Sequence, residues 1–400
     1  MLEFLNTHLY GLMPLPWWGY VVLVMLWVHI TLMAITLYFH REQAHRSVDL
    51  HPALRHFFRF WLWINTGAPT KQWVAVHRKH HALCERDGDP HSPVQYGLKR
   101  VVLEGAELYI DEARKQETLE KYGKGTPDDW LERNIYSRFD YMGIGLLVVA
   151  DILMFGAAGI IMLAIQLAAM PVLAAGIING VCHAKGYRNF ETNDASTNLW
   201  PIGLFIGGEE LHNNHHAFPT SARFSVRPGE IDMGWLHLKV LSALGMAKIR
   251  RVATKPDLGP AAASPDLDAL RSILINRMHV LRAYMQNVTL PVLRRECDTL
   301  GTSANALLPT VRRWLTWQPQ LLAESDRKSL GELTKQLPSF DLVLEFRNEL
   351  KNLWEGAHTS NERLLEEFRQ WCKRADESGN QYLKDFVAYL RSFQPSPEPA

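Results

Sequence analysis

Two long stretches of the chain contain almost no charged residues. Residues 12–39 have no Asp, Glu, Lys or Arg, and this length exceeds the roughly 20 apolar residues that a helix needs to cross a bilayer. Residues 141–182 contain one charged side chain, Asp151. A helix rises about 1.5 Å per residue, so this second stretch is too long for one crossing and predicts a helical hairpin that turns within residues 155–159. We expect Asp151 to face a protein neighbour or the membrane surface, because a carboxylate is costly in lipid.

A third apolar segment is too short to span a membrane. Residues 57–68 are interrupted by Arg59 and followed by Pro69, which favours an interfacial or re-entrant helix. The N-terminus has neither the cationic start nor the small-residue cleavage site of a signal peptide. Residues 12–39 are therefore expected to be a membrane span.

Lysine and arginine residues indicate the orientation of these spans. None precedes residue 12, whereas several follow the first span and others bracket the hairpin. The positive-inside rule then predicts that the polar segments after the first span and after the hairpin are cytoplasmic.

The last part of the chain differs in composition. Residues 261–400 hold 36 of the 85 charged side chains and show apolar positions at helical spacing. We predict an all-α protein of three to four membrane spans with a cytosolic helical cap and a soluble helical appendage. The predicted boundaries are a membrane domain at 1–254, a linker at 255–265, a helical region at 266–392 and a disordered tail at 393–400.

The overall composition excludes several classes of protein. The net charge is +1, from 43 basic and 42 acidic residues, and no cationic cluster of the kind that binds nucleic acid is present. The four cysteines are far apart and form no CxxC pair. Disulfides and a structural thiolate zinc site are therefore not expected, and the chain is typical of a reducing compartment.

Eight of the 17 histidines fall into three short groups, HREQAH, HRKHH and HNNHH. Successive helical residues are about 100° apart, so the three imidazoles of an HxxHH motif project from one face, as metal chelation requires. The two histidines of HREQAH are five residues apart and converge only at a helix end or a distortion. These groups contain His40, His45, His77, His80, His81, His212, His215 and His216.

All three groups are predicted on the same side of the membrane, and His183 joins them at the end of the last span. Nine imidazoles are too many for one four-coordinate zinc and suit two metal ions. Imidazole binds iron, copper, nickel and zinc, so the ligands leave the element open. We expect the other histidines to be surface or core residues: His8, His29, His51, His56, His91, His237, His279 and His358.

The motifs WVAVHRKHH (73–81), DPHSP (89–93), NGVCHAKGYRNF (179–190) and GGEELHNNHHAFPTSARFS (207–225) resemble the membrane-bound fatty acid desaturase family, specifically bacterial members of the acyl-CoA Δ9 (stearoyl-CoA) type. The resemblance covers about residues 15–252. It implies a di-iron centre in which Asn179 reaches an iron through a water. The implied iron ligands are His40, His45, His77, His80, His81, His183, His212, His215 and His216.

The resemblance also implies a reaction. Two Fe²⁺ ions, with O2 as co-substrate, would remove two hydrogens from a saturated long-chain acyl-CoA and leave a cis double bond, at Δ9. No haem-binding or dinucleotide motif occurs in the sequence, so the electrons are expected from a separate ferredoxin-type or flavin reductase. The implied location is the bacterial inner membrane, with the site facing the cytosol. No nucleic acid partner is expected.

Three alternatives stay open at this point. In the first, the substrate is an acyl-phospholipid rather than an acyl-CoA. In the second, the enzyme is a di-iron membrane hydroxylase of alkyl or lipid substrates. In the third, the chain is a histidine-rich metal transporter. The chain has one clear span before its first histidine group, where the eukaryotic members of the family have two, and the appendage lies outside the resemblance.

Two sets of residues each have two interpretations. The tryptophans either line an acyl-chain tunnel or anchor the protein at the membrane interface: Trp61, Trp63, Trp73 and Trp200. The cations either meet CoA phosphates or follow the positive-inside rule: Arg78, Lys79, Lys185 and Arg188.

Overall fold

The computed structural model describes residue 9 and residues 11–300, 304–355 and 360–394. These residues form two compact units. Unit 1 comprises Met1–Tyr187 and Asp194–Ala253, and unit 2 comprises Arg188–Asn193 and Thr254–Ala400. His8, His358 and residues 395–400 of the predicted tail lie outside the described residues.

Unit 1 is built mainly from helices. Its α-helices, numbered in chain order, are α1 Trp17–Ala34, α2 Pro52–Thr66, α3 Thr70–Leu83, α4 Pro93–Tyr96, α5 Leu98–Ala113, α6 Gln116–Tyr122, α7 Asp140–Phe155, α8 Ala157–Ala169, α9 His212–Ala217 and α10 Met233–Ala243. Wider π-helical turns occur at Ile35–Ala44, Glu132–Tyr136 and Met170–Gly180, and a 3-10 turn at Val181–His183.

The all-α prediction misses two short β ladders. Strand β1 (Val48–Leu50) pairs antiparallel with β4 (Ala247–Ile249), and β2 (Ile202–Gly203) pairs parallel with β3 (Ile231–Asp232). No hydrophobic periodicity reveals strands of two or three residues. The β1–β4 ladder joins the chain just after the first histidine group to the end of unit 1.

The first apolar stretch forms one continuous helix. Helix α1 continues without a break into the π-helix Ile35–Ala44, giving 28 residues that are long and apolar enough to cross a membrane. Its first half exposes large apolar side chains such as Trp17, Val22 and Met25, whereas Leu37 and Phe39 in its second half are buried. One end of this helix therefore has a lipid-compatible surface and the other is packed in protein.

The second apolar stretch turns where the sequence predicts. Helices α7 and α8 meet at Gly156, whose φ of 59° favours glycine. A Cβ on Gly159 would overlap the Asp151 carbonyl, so the two helices are closely packed, and Asp151 is buried in protein as expected. Among the described residues, the candidate membrane-crossing stretches are Trp17–Ala44 and Asp140–His183. A total of three to four spans stays a prediction.

Helix α2 covers most of the short apolar segment, and its predicted interfacial or re-entrant placement stays a prediction. It has 15 residues and ends at Thr66, and the next residue, Gly67, caps it with a φ of 63°. Arg59 is buried inside unit 1, and its guanidinium donates hydrogen bonds to Asp129 at 2.6 and 2.9 Å and to Glu132 at 3.0 Å. The cation that interrupts the apolar pattern is thus neutralised by protein carboxylates.

Unit 2 is a helical bundle with its own core. Its α-helices are α11 Leu267–Ile275, α12 Arg277–Tyr284, α13 Leu290–Thr299, α14 Ala304–Thr316, α15 Glu324–Gln336, α16 Pro338–Glu355, α17 Asn361–Glu377 and α18 Gln381–Arg391, with a π-turn at Met285–Thr289 and a 3-10 turn at Pro319–Leu321. The core is centred on Phe340, Phe368, Trp371 and Phe386. Phe393 is also buried in it, so this ordered core extends one residue into the predicted tail.

Two glycines of α7 provide a matched test of its packing. A Cβ on Gly143 would overlap the backbone carbonyl of Trp63 in α2, whereas a Cβ on Gly145 meets nothing within 4 Å. We expect Gly143→Ala to destabilise the protein by about 1–3 kcal/mol, the usual cost of overpacking. Gly145→Ala should be neutral or slightly stabilising, because alanine favours a helix over glycine. Thermal unfolding in detergent measures both; equal midpoints for the two variants would contradict the close α2–α7 packing.

Candidate metal centre

The first histidine group lies on a distorted helix, as its spacing predicts. In the π-helix Ile35–Ala44 the hydrogen bonds run from residue i+5 back to residue i, and the His45 amide donates to the His40 carbonyl at 3.0 Å. This pattern brings residues five apart onto one face. The His40 and His45 rings are 4.9 Å apart.

The other two groups lie on ordinary helices. Helix α3 carries His77, His80 and His81, and the short helix α9 carries His212, His215 and His216. In each helix the positions i, i+3 and i+4 share one face. His183 ends the 3-10 turn that terminates the second apolar stretch.

Unit 1 brings these histidines together, and eight of the nine approach one another through their Nε2 atoms. The Nε2–Nε2 distances are 2.8 Å for His45–His77, 3.0 Å for His40–His215, 3.0 Å for His81–His215, 2.9 Å for His183–His212 and 3.1 Å for His212–His216. Ring nitrogens that converge in this way leave several acceptor lone pairs facing one another, which is the arrangement that a cation stabilises.

The convergent nitrogens form two groups. One contains His40, His45, His77, His81 and His215, whose ligand atoms all lie within 4.8 Å of one another. The other contains His80, His183 and His216, together with the Cys84 thiol, and His212 contacts both His183 and His216. Cys84 is a potential ligand that the sequence analysis did not identify.

Four of the histidines have a carboxylate at Nδ1, on the side of the ring away from the shared centre. The pairs are His40–Glu209 at 2.7 Å, His80–Asp89 at 2.9 Å, His183–Glu85 at 2.7 Å and His216–Asp194 at 2.9 Å. A carboxylate at Nδ1 places the proton there and leaves Nε2 as the free ligand atom, a pattern typical of metal-binding histidines. The sequence analysis did not identify these four carboxylates.

The electrostatic environment keeps most of these imidazoles neutral. Burial, reinforced by the neighbouring imidazoles, lowers the pKa well below its usual range for His45, His77, His81, His212 and His215. Burial also lowers the pKa of His216 to about 4, despite the opposing effect of Asp194. At His80, burial is outweighed by the charge and hydrogen bond of Asp89, and the pKa is raised. Neutral imidazoles are the form that binds metals. This set of donors therefore fits two metal ions, each bound mainly by histidines.

One cavity is lined by several of the histidines, and a second cavity lies next to it. The smaller, of about 70 Å³, is lined by His40, His77, His80 and His212. The larger, of about 310 Å³, has mostly apolar walls from α5, α7 and the π-helix Met170–Gly180. Both cavities are lined by Trp73, Tyr109, Ala174 and Asn179. Asn179 thus lies between the histidine cluster and an apolar pocket.

His91, which was expected to be a surface or core residue, is buried beside the histidine cluster. Its ring stacks on His80 at 4.4 Å and lines the smaller cavity. Its Nε2 is buried without a hydrogen-bond partner among the described residues. The motif DPHSP was the only signal for this position, since a single histidine has no spacing pattern.

The four tryptophans have different environments. Trp61 and Trp63 donate their indole N–H groups to Thr31 Oγ1 at 2.9 Å and to the Phe139 carbonyl at 3.0 Å. Trp73 stacks on His77 at 4.9 Å and lines both cavities, whereas Trp200 is exposed. The tunnel interpretation is therefore favoured for Trp73 alone among these four.

Three of the four cations are engaged within the protein. Arg78 donates to the Gln43 carbonyl at 2.7 Å, Lys79 pairs with Glu112 at 2.6 Å, and Arg188 donates to the Thr192 carbonyl at 2.9 Å. Lys185 is exposed. These contacts favour a structural role over CoA binding for Arg78, Lys79 and Arg188.

Comparison with known proteins gives two family matches. Residues 270–396 match a family described as transposase; where the structure describes this part of the chain, it is helical and contains no strand. This match covers less than a third of the chain and assigns no activity here. Residues 15–228 match the fatty acid desaturase family, and this match contains all nine clustered histidines and Asn179.

Individual relatives agree with the second match. The Delta-9 acyl-lipid desaturase 1 of Arabidopsis thaliana is 32% identical over 224 residues, which cover 54% of this chain and 70% of the relative. Two Anemone leveillei proteins, Acyl-CoA 5-desaturase AL21 and Acyl-CoA C20 Delta5-desaturase, are 33% and 34% identical over 231 and 235 residues, covering 55% of this chain in each case and 70% and 72% of the relatives. The desaturase match spans more than half of the chain, and the chain belongs to the fatty acid desaturase family.

Proposed function

We propose that this chain is an O2-dependent acyl desaturase that introduces a cis double bond, at Δ9, into a saturated long-chain acyl-CoA. The observation that carries the proposal is the cluster of nine inward-facing imidazoles in a chain of the desaturase family. Two iron ions are the cofactors that this donor set would hold.

The two groups of histidines would divide the ions between them. His40, His45, His77, His81 and His215 would hold one iron, and His80, His183, His212 and His216 the other. When bound, the irons supply the reduction of O2 that drives the removal of two hydrogens. The protein contributes buried imidazole ligands, and carboxylates at Nδ1 hold four of them in place.

The cavities support an acyl substrate. The larger cavity falls within the roughly 300–1,000 Å³ typical of ligand pockets, and its walls are mainly apolar. An acyl chain lying there would pass Trp73 and Asn179 before it reaches the histidines. The burial of the cluster excludes bulk water from the reacting carbons. Asn179 would bind a water shared with one iron.

The acyl carrier and the electron donor complete the proposal. The relatives are named both as acyl-lipid and as acyl-CoA desaturases, so an acyl-phospholipid is the alternative substrate. The sequence carries no haem or dinucleotide motif, and a ferredoxin-type or flavin reductase would supply the two electrons. We place the protein in the bacterial inner membrane with its metal centre facing the cytosol.

The reaction class is tested by product analysis. The full chain is expressed in a host that lacks its own desaturase, and the fatty acids are profiled by mass spectrometry. We expect new monounsaturated chains whose double bond lies at Δ9. Hydroxylated chains without any olefin would support a di-iron hydroxylase instead and would contradict desaturation.

The metal ligands are tested by substitution. We expect His81→Ala, His183→Ala and His215→Ala each to abolish olefin formation and to lower the iron content per chain, because each removes one convergent Nε2. The amount of protein in the membrane should be unchanged. His237→Ala is the matched control, since His237 contacts His29 rather than the cluster. Substantial activity in His183→Ala would overturn the nine-ligand proposal.

The lowered pKa values predict how pH affects the metal-free protein. In the unfolded chain these histidines titrate near pH 6.5, so the unfolded state takes up more protons as the pH falls through that value. The free energy of unfolding should therefore decrease from pH 7.5 to 5.5. His80 acts in the opposite direction, because a raised pKa stabilises the folded state at low pH. The histidines with a lowered pKa outnumber it, so their effect on the free energy of unfolding dominates.

Thermal unfolding of chelator-treated protein in detergent at several pH values measures this effect. The double variant His45→Gln, His81→Gln removes two of the responsible groups, and its unfolding midpoint should fall less on acidification. A midpoint that stays constant or rises as the pH falls would contradict the assigned protonation states.

A further inference from the structure

A short segment that follows His183 in the sequence belongs to the helical C-terminal unit. After His183 the chain leaves unit 1 at Arg188, and it returns at Asp194. Residues 188–193 pack as part of unit 2, although 60 residues separate Asn193 from the next part of that unit. The segment thus lies along the chain between His183 and the third histidine group.

A buried ion pair holds this segment inside unit 2. The Arg347 guanidinium on α16 pairs with the Glu191 carboxylate, and both side chains are less than a tenth exposed. The same guanidinium donates to the Leu315 carbonyl at 2.7 Å. Removing one member of a buried pair is strongly destabilising, because it leaves the other charge without compensation.

Further contacts in unit 2 hold the neighbouring residues of the segment. Gln318 donates to Asn193 Oδ1 at 2.7 Å and more weakly to the Thr192 carbonyl at 3.4 Å. The Phe190 ring packs edge-on against His279 with the centroids 5.6 Å apart, and the Arg188 guanidinium lies 5.2 Å from the Trp317 ring centroid. Most residues of the segment therefore have a partner in α12 to α16 or their connections.

The residues that follow the segment directly support the metal centre. Asp194 accepts a hydrogen bond from His216 Nδ1 at 2.9 Å. The Ala195 amide donates to Glu85 Oε1 at 3.1 Å, and the same oxygen contacts His183 Nδ1 at 2.7 Å. Two of the four carboxylates that orient the histidines thus depend on residues 194 and 195.

We propose that unit 2 acts as a clasp that fixes residues 188–193 and thereby holds Asp194 and Ala195 in position to orient His216 and His183. The connection is the peptide chain itself, because Asn193 and Asp194 are consecutive. Arg347 is then a positioning residue for the metal centre. The inference rests on the proposed function in so far as that function requires a metal at these histidines.

The test compares two arginines of α16 and α17 in the full-length chain. Arg347→Met breaks the buried pair with Glu191, whereas Arg374→Met breaks an exposed pair with Glu349 in the same unit. We expect Arg347→Met to lower the affinity for Fe²⁺ by about tenfold or more, in the range seen when an outer-shell partner of a metal ligand is lost. Arg374→Met should bind iron as the wild type does.

Iron per purified chain at limiting Fe²⁺ is the main readout, and limited proteolysis reports the integrity of unit 2. Arg347→Lys, which keeps the charge, should recover part of the affinity. Gln318→Ala is a milder variant for the case in which Arg347→Met unfolds unit 2; it loosens residues 192 and 193 and should weaken iron binding in the same direction, by about twofold to tenfold.

The outcomes separate the clasp from the desaturase function. Wild-type iron binding in both Arg347→Met and Gln318→Ala would overturn the clasp, whether or not unit 2 is still resistant to protease. An equal loss of iron in Arg347→Met and Arg374→Met would also overturn it. A wild-type chain that binds two irons but forms no olefin contradicts desaturation alone, and the iron comparison still decides the clasp.

Discussion

The structure of unit 1 depends on bringing nine imidazoles into one buried place and keeping most of them neutral. Burial lowers the pKa of most of them, and the neutral rings point Nε2 inward. Carboxylates at Nδ1 fix that orientation for His40, His80, His183 and His216. In the absence of a cation such a cluster is electrostatically unfavourable, since facing lone pairs repel. The surrounding fold holds the imidazoles together against this repulsion, because the histidines are attached to a π-helix, two α-helices and a helix end.

Much of this arrangement was predictable because it is local. The HxxHH spacing places three rings on one helical face, and the five-residue spacing of His40 and His45 requires the distortion that the π-helix Ile35–Ala44 provides. The charge-free pattern likewise predicted the first apolar helix and the turn at Gly156. These features need only residues within about one helical turn or one apolar stretch.

The remaining features depend on tertiary contacts that no local pattern encodes. His183 and Glu85 are 98 residues apart, and His40 and Glu209 are 169 apart. A lone carboxylate, the Cys84 thiol and the His91 ring have no spacing that distinguishes them from surface residues. The inclusion of residues 188–193 in unit 2 was equally hidden, because the Glu191–Arg347 pair joins positions 156 apart. Helical propensity alone gave the appendage no role, whereas these contacts connect it to the chain that supports the metal centre.

X-ray absorption spectroscopy of the purified, iron-loaded chain, together with its iron content, tests the central claim most directly. Two irons per chain with a nitrogen-rich coordination sphere and no sulfur ligand are the predicted result, because the histidine Nε2 atoms dominate both groups. A single metal per chain, or a sulfur ligand from Cys84 in place of an imidazole, would contradict the nine-histidine centre.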